Sequence, residues 1–265
     1  PAAIVLAYWG VSHLNFILFR SGGILPMPIW PAAAVAMTAA MVLGFAAAPG
    51  IALGTFLANA VSLGASWPVA LGIVVCNTAG PVYAGLRIRR KASELPPFDR
   101  LRDVFVFIFY GVFLMAGVTA TGGVASRYFL TELPAEEIPL TWLRWWLAHA
   151  SGALLFTPML TGWLCERKRM PWSERLSYVV VMAAMISLTV YLFFFFDENS
   201  LMFHGIPFLL IVPLAWAAVT FSVRDTMTLF SIMTILSMVG GTLGYGNPLG
   251  GEMPFVSFGI MATCY

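Results

Sequence analysis

The stretch DVFVFIFYGVFLMAGVTAT, residues 103–121, has no charged residue after the aspartate at its start. A helix needs about 20 mostly apolar residues to cross the hydrocarbon core of a membrane, which is roughly 30 Å thick. Apolar runs of about this length recur along nearly the whole chain, and the alternating pattern of a β-strand is absent. The sequence therefore predicts membrane-spanning α-helices and not a β-barrel.

The composition indicates the same class of protein. Hydrophobic residues make up 60% of the 265 residues and charged residues only 10%, whereas about 25% of the residues of an ordinary soluble domain are charged. We therefore expect an integral membrane protein that has the lipid bilayer as a partner. The net charge of +2 gives no indication of nucleic-acid binding.

Ten apolar segments predict an all-α, polytopic bundle of eight to ten transmembrane helices. The segments are Ala2–Phe19, Pro31–Ala47, Gly50–Leu63, Trp67–Leu86, Asp103–Thr121, Leu140–Leu164, Leu176–Phe196, Ile206–Ser222, Thr226–Gly244 and Phe255–Tyr265. The second and third segments are short and are joined only by the residues APG. The stretch 31–63 is therefore either two full spans or a re-entrant hairpin.

Basic residues lie mainly in one set of predicted loops, and cytoplasmic loops carry the excess of lysine and arginine in membrane proteins. Of the 14 basic residues, 11 fall on this side: Arg87, Arg89, Arg90, Lys91, Arg100, Arg102, Arg167, Lys168, Arg169, Arg175 and Arg224. We therefore expect both chain ends to face the cytoplasm. The last segment has 11 residues, about half of a span, so residues 1–265 are expected to form a single transmembrane domain of a longer protein with a cytoplasmic domain after it.

The stretch WLRWWLAHASG, residues 142–152, places a histidine inside an apolar helix. Trp145 and His149 lie four residues apart and therefore share one face of that helix. His149 is about ten residues from the predicted outer end, near the middle of the membrane, where an ionisable group is costly and often functional. Two interpretations stay open: a ligand, cofactor or proton-transfer role, or a neutral histidine hydrogen-bonded across helices.

His13 in the first helix is the natural companion of His149, and Trp9 lies one turn away on the same face. Two histidines from different helices could bind a haem iron or one metal ion. Haem and copper sites in membranes usually use more histidines, and the remaining one, His204, lies in a predicted outer loop. The sequence therefore favours other roles for His13 and His149 over a metal site.

Arg144 has two interpretations as well. Its guanidinium can extend to the membrane surface within a belt of tryptophans. It can instead bind an anionic ligand or a glutamate of the preceding loop, which contains Glu132, Glu136 and Glu137.

Three asparagines, Asn15, Asn59 and Asn77, lie in apolar helices and are expected to form interhelical hydrogen bonds. The sequences GIALG, residues 50–54, and GGTLG, residues 240–244, allow helices to approach closely, either within the chain or in a dimer. The sequence has no phosphate-binding loop, nucleophile elbow or HExxH motif. We therefore expect no enzymatic active site in these residues.

Several short motifs occur in a specific order. They are Trp30-Pro31, Pro49-Gly50 and the FLAN sequence that ends at Asn59, then Asn77-Thr78, Leu101-Arg102-Asp103, the tryptophan-rich start of the sixth helix with Pro158 near its end, and GTLGYG at residues 241–246. In this set, and over essentially its whole length, the chain resembles the MASE1 family of bacterial membrane-associated sensor domains.

The resemblance implies a non-enzymatic sensory domain of eight or more helices in the bacterial inner membrane. It further implies a C-terminal cytoplasmic effector, either a diguanylate cyclase, a phosphodiesterase or a histidine kinase, and a homodimer because such effectors act as dimers. Two departures stand out: His149 and Gly80-Pro81 occupy positions where the family pattern leads us to expect acidic residues.

The leading hypothesis is a sensory domain that binds a small ligand between helices. The expected ligand contacts are Trp9, His13, Asn59, Asn77, Arg144, Trp145 and His149. One alternative is a secondary transporter or channel, although the sequence shows no internal repeat and no membrane-embedded acidic residue that would bind a coupling ion. The other alternative is a haem-based or metal-based redox or gas sensor that uses His13 and His149.

Overall fold

The structure is a computed structural model that describes residues 1–20, 28–92, 95–131, 133–166, 170–195 and 210–242. This part of the chain is almost entirely helical and contains no strand, which confirms the predicted all-α polytopic bundle. The α-helices are α1 (Ala2–Arg20), α2 (Ala32–Leu43), α3 (Ala48–Phe56), α4 (Trp67–Lys91), α5 (Leu101–Phe107), α6 (Met115–Leu130), α7 (Ile138–Cys165), α8 (Trp172–Val190), α9 (Ile211–Thr220) and α10 (Val223–Thr242).

Wider π-helical turns extend three of these helices. They cover Leu57–Ser62 after α3, Ile108–Leu114 between α5 and α6, and Tyr191–Phe195 after α8. Five helical stretches within the described residues are long and apolar enough to cross a membrane: Ala2–Phe19, Ala32–Ser62, Trp67–Lys91, Leu101–Leu130 and Trp172–Phe195. The total of eight to ten crossings remains a prediction, since the tenth predicted segment, Phe255–Tyr265, lies outside the described residues.

The stretch Ala32–Ser62 is a hairpin. As one straight helix, its 31 residues would be roughly 46 Å long at 1.5 Å per residue. Trp30, two residues before this stretch, and Ser62, its last residue, nevertheless contact adjacent residues of α1. Trp30 Nε1 lies 3.4 Å from the hydroxyl of Tyr8, and Ser62 Oγ lies 2.9 Å from Nε1 of Trp9. The chain must therefore reverse direction between them.

The reversal occurs at Gly44, which ends α2 with a φ of +63°. A residue with a Cβ is strained in this conformation. A four-residue 3₁₀ turn, Gly44–Ala47, then leads into α3. Helix α2 has only 12 residues, roughly 18 Å, so it is too short to cross a 30 Å hydrocarbon core. The choice between two full spans and a re-entrant hairpin stays a prediction, because the turn at Gly44 lies beside the basic end of α4.

Contacts between Cα atoms divide the chain into two compact units, Pro1–Thr161 and Gly162–Tyr265. In the first unit, helices pack through small residues, as expected where apolar helices associate within lipid. A Cβ on Gly54 would lie 2.8 Å from Cβ of Tyr8, and one on Gly85 would lie 2.6 Å from the carbonyl carbon of Ala40. The GIALG sequence therefore packs within the chain, against α1.

Arginine and lysine residues continue α4 beyond its predicted end at Leu86. Arg89, Arg90 and Lys91 form the last turn of the helix, where cations interact favourably with the helix dipole. Arg89 donates hydrogen bonds to the carbonyl oxygens of Met41 and Val42 at the end of α2. The basic end of α4 therefore lies beside the turn of the hairpin.

The second unit has its own apolar core, formed by residues of α8, α9 and α10 and of the π-helical turn after α8. Its members include Met185, Phe193, Leu210, Leu229 and Met233. Arg224 was predicted to lie in a cytoplasmic loop, but it lies in the first turn of α10, just after the connection from α9, and is only 8% exposed. Its place on the cytoplasmic side stays a prediction.

Arg224 is buried together with a carboxylate. Its Nε lies 2.9 Å from Oδ1 of Asp225 and its Nη2 3.1 Å from Oδ2, and Ser222 donates a further hydrogen bond to Oδ2 at 2.8 Å. The guanidinium also lies 4.9 Å from the ring centre of Trp163. We call Ser222, Arg224, Asp225 and Trp163 the ion-pair cluster. Burial is tolerated here because the charges are paired.

Candidate functional site

The segment before α2 contacts α7 directly. The backbone N–H of Trp30 donates to the carbonyl oxygen of Ala148 at 2.8 Å. A Cβ at Gly152, one turn further along α7, would clash with the carbonyl oxygen of Trp30. Glycine at this position therefore permits two stretches of backbone to touch, and it fixes the indole of Trp30 beside α7.

His149 lies between two indole rings. The imidazole stacks on Trp30 with ring centres 6.0 Å apart and on Trp145 with ring centres 6.1 Å apart. The residue is only 5% exposed. Its Nδ1 lies 3.1 Å from the carbonyl oxygen of Trp145. A carbonyl oxygen only accepts, so Nδ1 carries the hydrogen and Nε2 of the neutral ring is an acceptor.

Two polar atoms of this stack have no hydrogen-bond partner among the described residues. They are Nε2 of His149, an acceptor, and Nε1–H of Trp145, a donor, and both atoms are buried. A buried polar atom without a partner costs about 1–3 kcal/mol. Most buried polar atoms in native proteins have partners, so these two require an explanation.

A buried tyrosine joins the stack to α1 and α4. The hydroxyl of Tyr8 accepts hydrogen bonds from Nε1 of Trp30 at 3.4 Å and from Nδ2 of Asn77 at 3.3 Å. Tyr8 is only 1% exposed. The interhelical bond expected for Asn77 is therefore present. We call Tyr8, Trp30, Asn77, Trp145 and His149 the aromatic cluster, and it lies entirely within residues 1–161.

Two further tryptophans of α7, Trp142 and Trp146, pack against the preceding helical stretch, Leu101–Leu130. Nε1 of Trp142 donates to Oγ1 of Thr121 at 3.0 Å, and Nε1 of Trp146 donates to the carbonyl oxygen of Phe113 at 3.3 Å. Both indole N–H groups are therefore satisfied by protein atoms. Arg144 is partly buried on the same helix, and Glu132, one of its predicted partners, lies outside the described residues.

Trp9 and His13 lie on a different face of α1 from Tyr8. Both contact the hydroxyl of Ser62, Trp9 through Nε1 at 2.9 Å and His13 through Nδ1 at 3.0 Å. His13 is exposed, whereas Tyr8 and Ser12 are buried. The structure thus connects these two predicted site residues to the π-helical turn after α3 and not to the aromatic cluster.

The other two asparagines predicted in helices, Asn15 and Asn59, bond to backbone carbonyls. Asn59 donates to Thr55 within its own helical stretch at 2.9 Å, so the interhelical bond expected for it is absent from the described contacts. Asn15 donates to the carbonyl oxygen of Ile29, just before Trp30, at 3.1 Å.

The described residues contain no group of three or more histidine, cysteine, aspartate or glutamate side chains that could hold a metal ion. His13 is exposed beside Ser62 and His149 is enclosed by indoles, so the two histidines that were considered as a ligand pair have separate surroundings. The third histidine, His204, lies outside the described residues.

Sequence reasoning missed Tyr8 and Trp30 as members of the site. One signal was available, because Ile4, Tyr8, Ser12 and Asn15 follow the three-and-four-residue spacing of a buried helix face and all four are buried. Trp30 had no such signal, because its position depends on the contact between a non-helical segment and α7.

A family model, MASE1, matches residues 2–261, nearly the whole chain. In the comparisons with curated proteins and with solved structures, nothing matches significantly.

Proposed function

Because this chain belongs to the MASE1 family of membrane-associated sensory domains, we propose that it detects a small, weakly polar molecule at the aromatic cluster. The ligand accepts a hydrogen bond from Nε1 of Trp145 and donates one to Nε2 of His149. Its apolar part lies against the indole rings that enclose the imidazole.

The observation that carries this proposal is the pair of buried, unpartnered atoms on Trp145 and His149. One is a donor and the other an acceptor, so a single molecule with a hydroxyl or N–H group and an acceptor can satisfy both. Satisfying both atoms removes an unfavourable contribution of about 1–3 kcal/mol for each. A site of this kind favours a neutral ligand, because a charged one would need a buried counter-ion.

The contact between Trp30 and α7 couples ligand binding at His149 to the packing of the helices. Trp30 stacks on His149, and its backbone is held by Ala148 and Gly152. A ligand at His149 therefore alters the packing between α7 and the segment that leads into α2. The ligand can change the equilibrium between two helix arrangements only by as much as its binding free energies for the two arrangements differ.

The same proposal extends to the rest of the protein. The domain lies in the bacterial inner membrane with both ends in the cytoplasm, as the positions of the basic residues favour. It controls a cytoplasmic effector, namely a diguanylate cyclase, a phosphodiesterase or a histidine kinase. The family membership favours this sensory role over that of a transporter or channel.

The test is the output of the effector in cells that produce the full-length protein. The readout is cyclic di-GMP for a cyclase or phosphodiesterase and phosphohistidine for a kinase. We expect His149→Phe to lock the output at one level, whether cells are grown in rich or depleted medium. His13→Phe is the matched control, because it makes the same substitution at the exposed histidine, and its output should follow the wild type.

The proposal is wrong if His149→Phe responds to growth conditions like the wild type while both proteins reach the same level in the membrane. Equal loss of response in His149→Phe and His13→Phe would also contradict it, because the site would then extend beyond the aromatic cluster.

A further inference from the structure

An open groove runs along the outside of the first unit at its basic end. It has a volume of about 560 Å³ and is lined by Leu101, Phe105, Val106, Phe109 and Tyr110. Lys91 at the end of α4 and Arg102 at the start of α5 complete its lining. We propose that this groove binds one anionic phospholipid, with the headgroup phosphate at Lys91 and Arg102 and an acyl chain along the aromatic wall.

The order of residues along the groove matches the order of groups in a lipid. The two cations belong to the ends of their helices, and Phe105 and Phe109 follow Leu101 by one and two turns. At 1.5 Å per residue the wall extends roughly 12 Å from Leu101 towards the middle of the membrane. The charged end therefore lies at headgroup depth and the apolar wall at the depth of the acyl chain.

The apolar wall faces outward. Phe105 is 62% exposed and Phe109 is 58% exposed. Phe109 and Tyr110 belong to the π-helical turn Ile108–Leu114. Large exposed apolar side chains on a spanning helix contact lipid, and here they line a shallow, open groove.

The charge at the end of the groove is complementary to a phosphate. Residues 87–103 contain six basic and three acidic side chains. The side chain of Arg102 is 73% exposed. Its guanidinium lies 3.8 Å from the carboxylate of Asp103 and donates to the carbonyl oxygen of Lys91 at 2.6 Å. The ammonium of Lys91 lies 5.9 Å from the ring centre of Tyr110. Arg102 and Lys91 are thereby held together, and the excess of cations attracts an anionic lipid over a zwitterionic one.

The groove opens at the ends of α4 and α5 that carry the excess of basic residues, and this excess favours the cytoplasmic side. Basic pockets between helices on that side bind anionic headgroups, and the leaflet there is rich in anionic lipid. The proposed occupant is therefore abundant where the groove opens.

The test is native mass spectrometry of the purified full-length protein with equal amounts of phosphatidylglycerol and phosphatidylcholine. We expect one phosphatidylglycerol to bind in preference to phosphatidylcholine. Arg102→Gln and Lys91→Gln should each weaken phosphatidylglycerol binding about five-fold, and should leave the weaker phosphatidylcholine binding unchanged. Phe105→Ala should weaken the binding of both lipids, because it shortens the shared apolar wall.

Arg127→Gln is the matched control, because it removes one cation at the far end of the stretch Leu101–Leu130. It should bind phosphatidylglycerol like the wild type. Equal binding of the two lipids by the wild type would overturn the proposal, as would an equal loss in Arg127→Gln and Arg102→Gln. Displacement of phosphatidylglycerol by millimolar inorganic phosphate would overturn it too, because the site would then recognise phosphate without the acyl chain.

Discussion

The two compact units of the molecule bury polar groups in opposite ways. In the ion-pair cluster of the second unit, Arg224 and Asp225 share two hydrogen bonds. In the aromatic cluster of the first unit, His149 and Trp145 each retain a buried atom without a partner among the described residues. A satisfied pair is part of the structure, whereas our proposal assigns the unsatisfied pair to a ligand. On that proposal, the more strongly charged cluster is the structural one.

The largest expected effect tests the structural role of the ion-pair cluster. Arg224→Gln leaves the Asp225 carboxylate buried without its cation, so we expect the free energy of unfolding in mixed micelles to fall by about 3 kcal/mol. Arg102→Gln is the control, because it removes an arginine that is 73% exposed in a looser pair, and it should cost less than about 1 kcal/mol. Equal costs would show that burial does not distinguish the two pairs.

The next effect tests the contact that holds Trp30. Gly152→Ala places a methyl group against the Trp30 carbonyl, and we expect a loss of about 2 kcal/mol in the same unfolding measurement. Gly117→Ala provides the comparison, since its added methyl group meets nothing within 4 Å and should stabilise the helix by about 0.5–1 kcal/mol. A Gly152→Ala protein as stable as the wild type would contradict the close backbone approach.

A smaller effect is expected at Tyr8. Tyr8→Phe removes the hydroxyl that accepts from Trp30 and Asn77. Both bonds are long, at 3.4 Å and 3.3 Å, so we expect a total cost of about 1–2 kcal/mol, at the low end for two buried donors that lose their acceptor. Tyr83→Phe is matched to it, because the Tyr83 hydroxyl accepts from Arg87 at an exposed site, and it should change stability by less than about 0.5 kcal/mol. Equal costs for Tyr8→Phe and Tyr83→Phe would show that the buried hydroxyl of Tyr8 contributes no more to stability than the exposed hydroxyl of Tyr83.

The smallest effect on stability is expected at His149. Phenylalanine keeps a ring between Trp30 and Trp145 and removes the unpartnered nitrogen, at the cost of one hydrogen bond to the Trp145 carbonyl. We therefore expect His149→Phe to change the free energy of unfolding by no more than about 1 kcal/mol. A loss of 3 kcal/mol, similar to that of Arg224→Gln, would place His149 among the structural residues instead.

The helices themselves could be predicted from the sequence, because length and apolar composition determine whether a segment spans a membrane. The predicted start of α4 at Trp67 matches the structure. The reversal at Gly44 could not be predicted, because its positive φ is one of several conformations that glycine adopts. The burial of Arg224 could not be predicted, because a charge beside an apolar run resembles a loop and the burial depends on pairing with Asp225.

Part of the aromatic cluster was predictable. The helical spacing of Trp145 and His149 and the polarity of Asn77 were visible in the sequence, and the structure places all three residues in this cluster. Their role as ligand contacts stays a prediction. Trp9 and His13 share a face, as predicted, but it is a face that contacts Ser62. The face of α1 that contacts Ser62 is set by the packing of α1 against α2, α3 and the π-helical turn after α3, and the spacing of Trp9 and His13 alone did not indicate that partner.

The central claim is that the unpartnered atoms of His149 and Trp145 bind a small molecule. The most direct test is solvent extraction and mass spectrometry, with an absorption spectrum, of the full-length protein purified as wild type, His149→Phe and His13→Phe. The account predicts one organic molecule for each chain in the wild type and in His13→Phe, and its loss in His149→Phe. An equal amount of that molecule in all three proteins, or a haem spectrum that disappears in both variants, would contradict it.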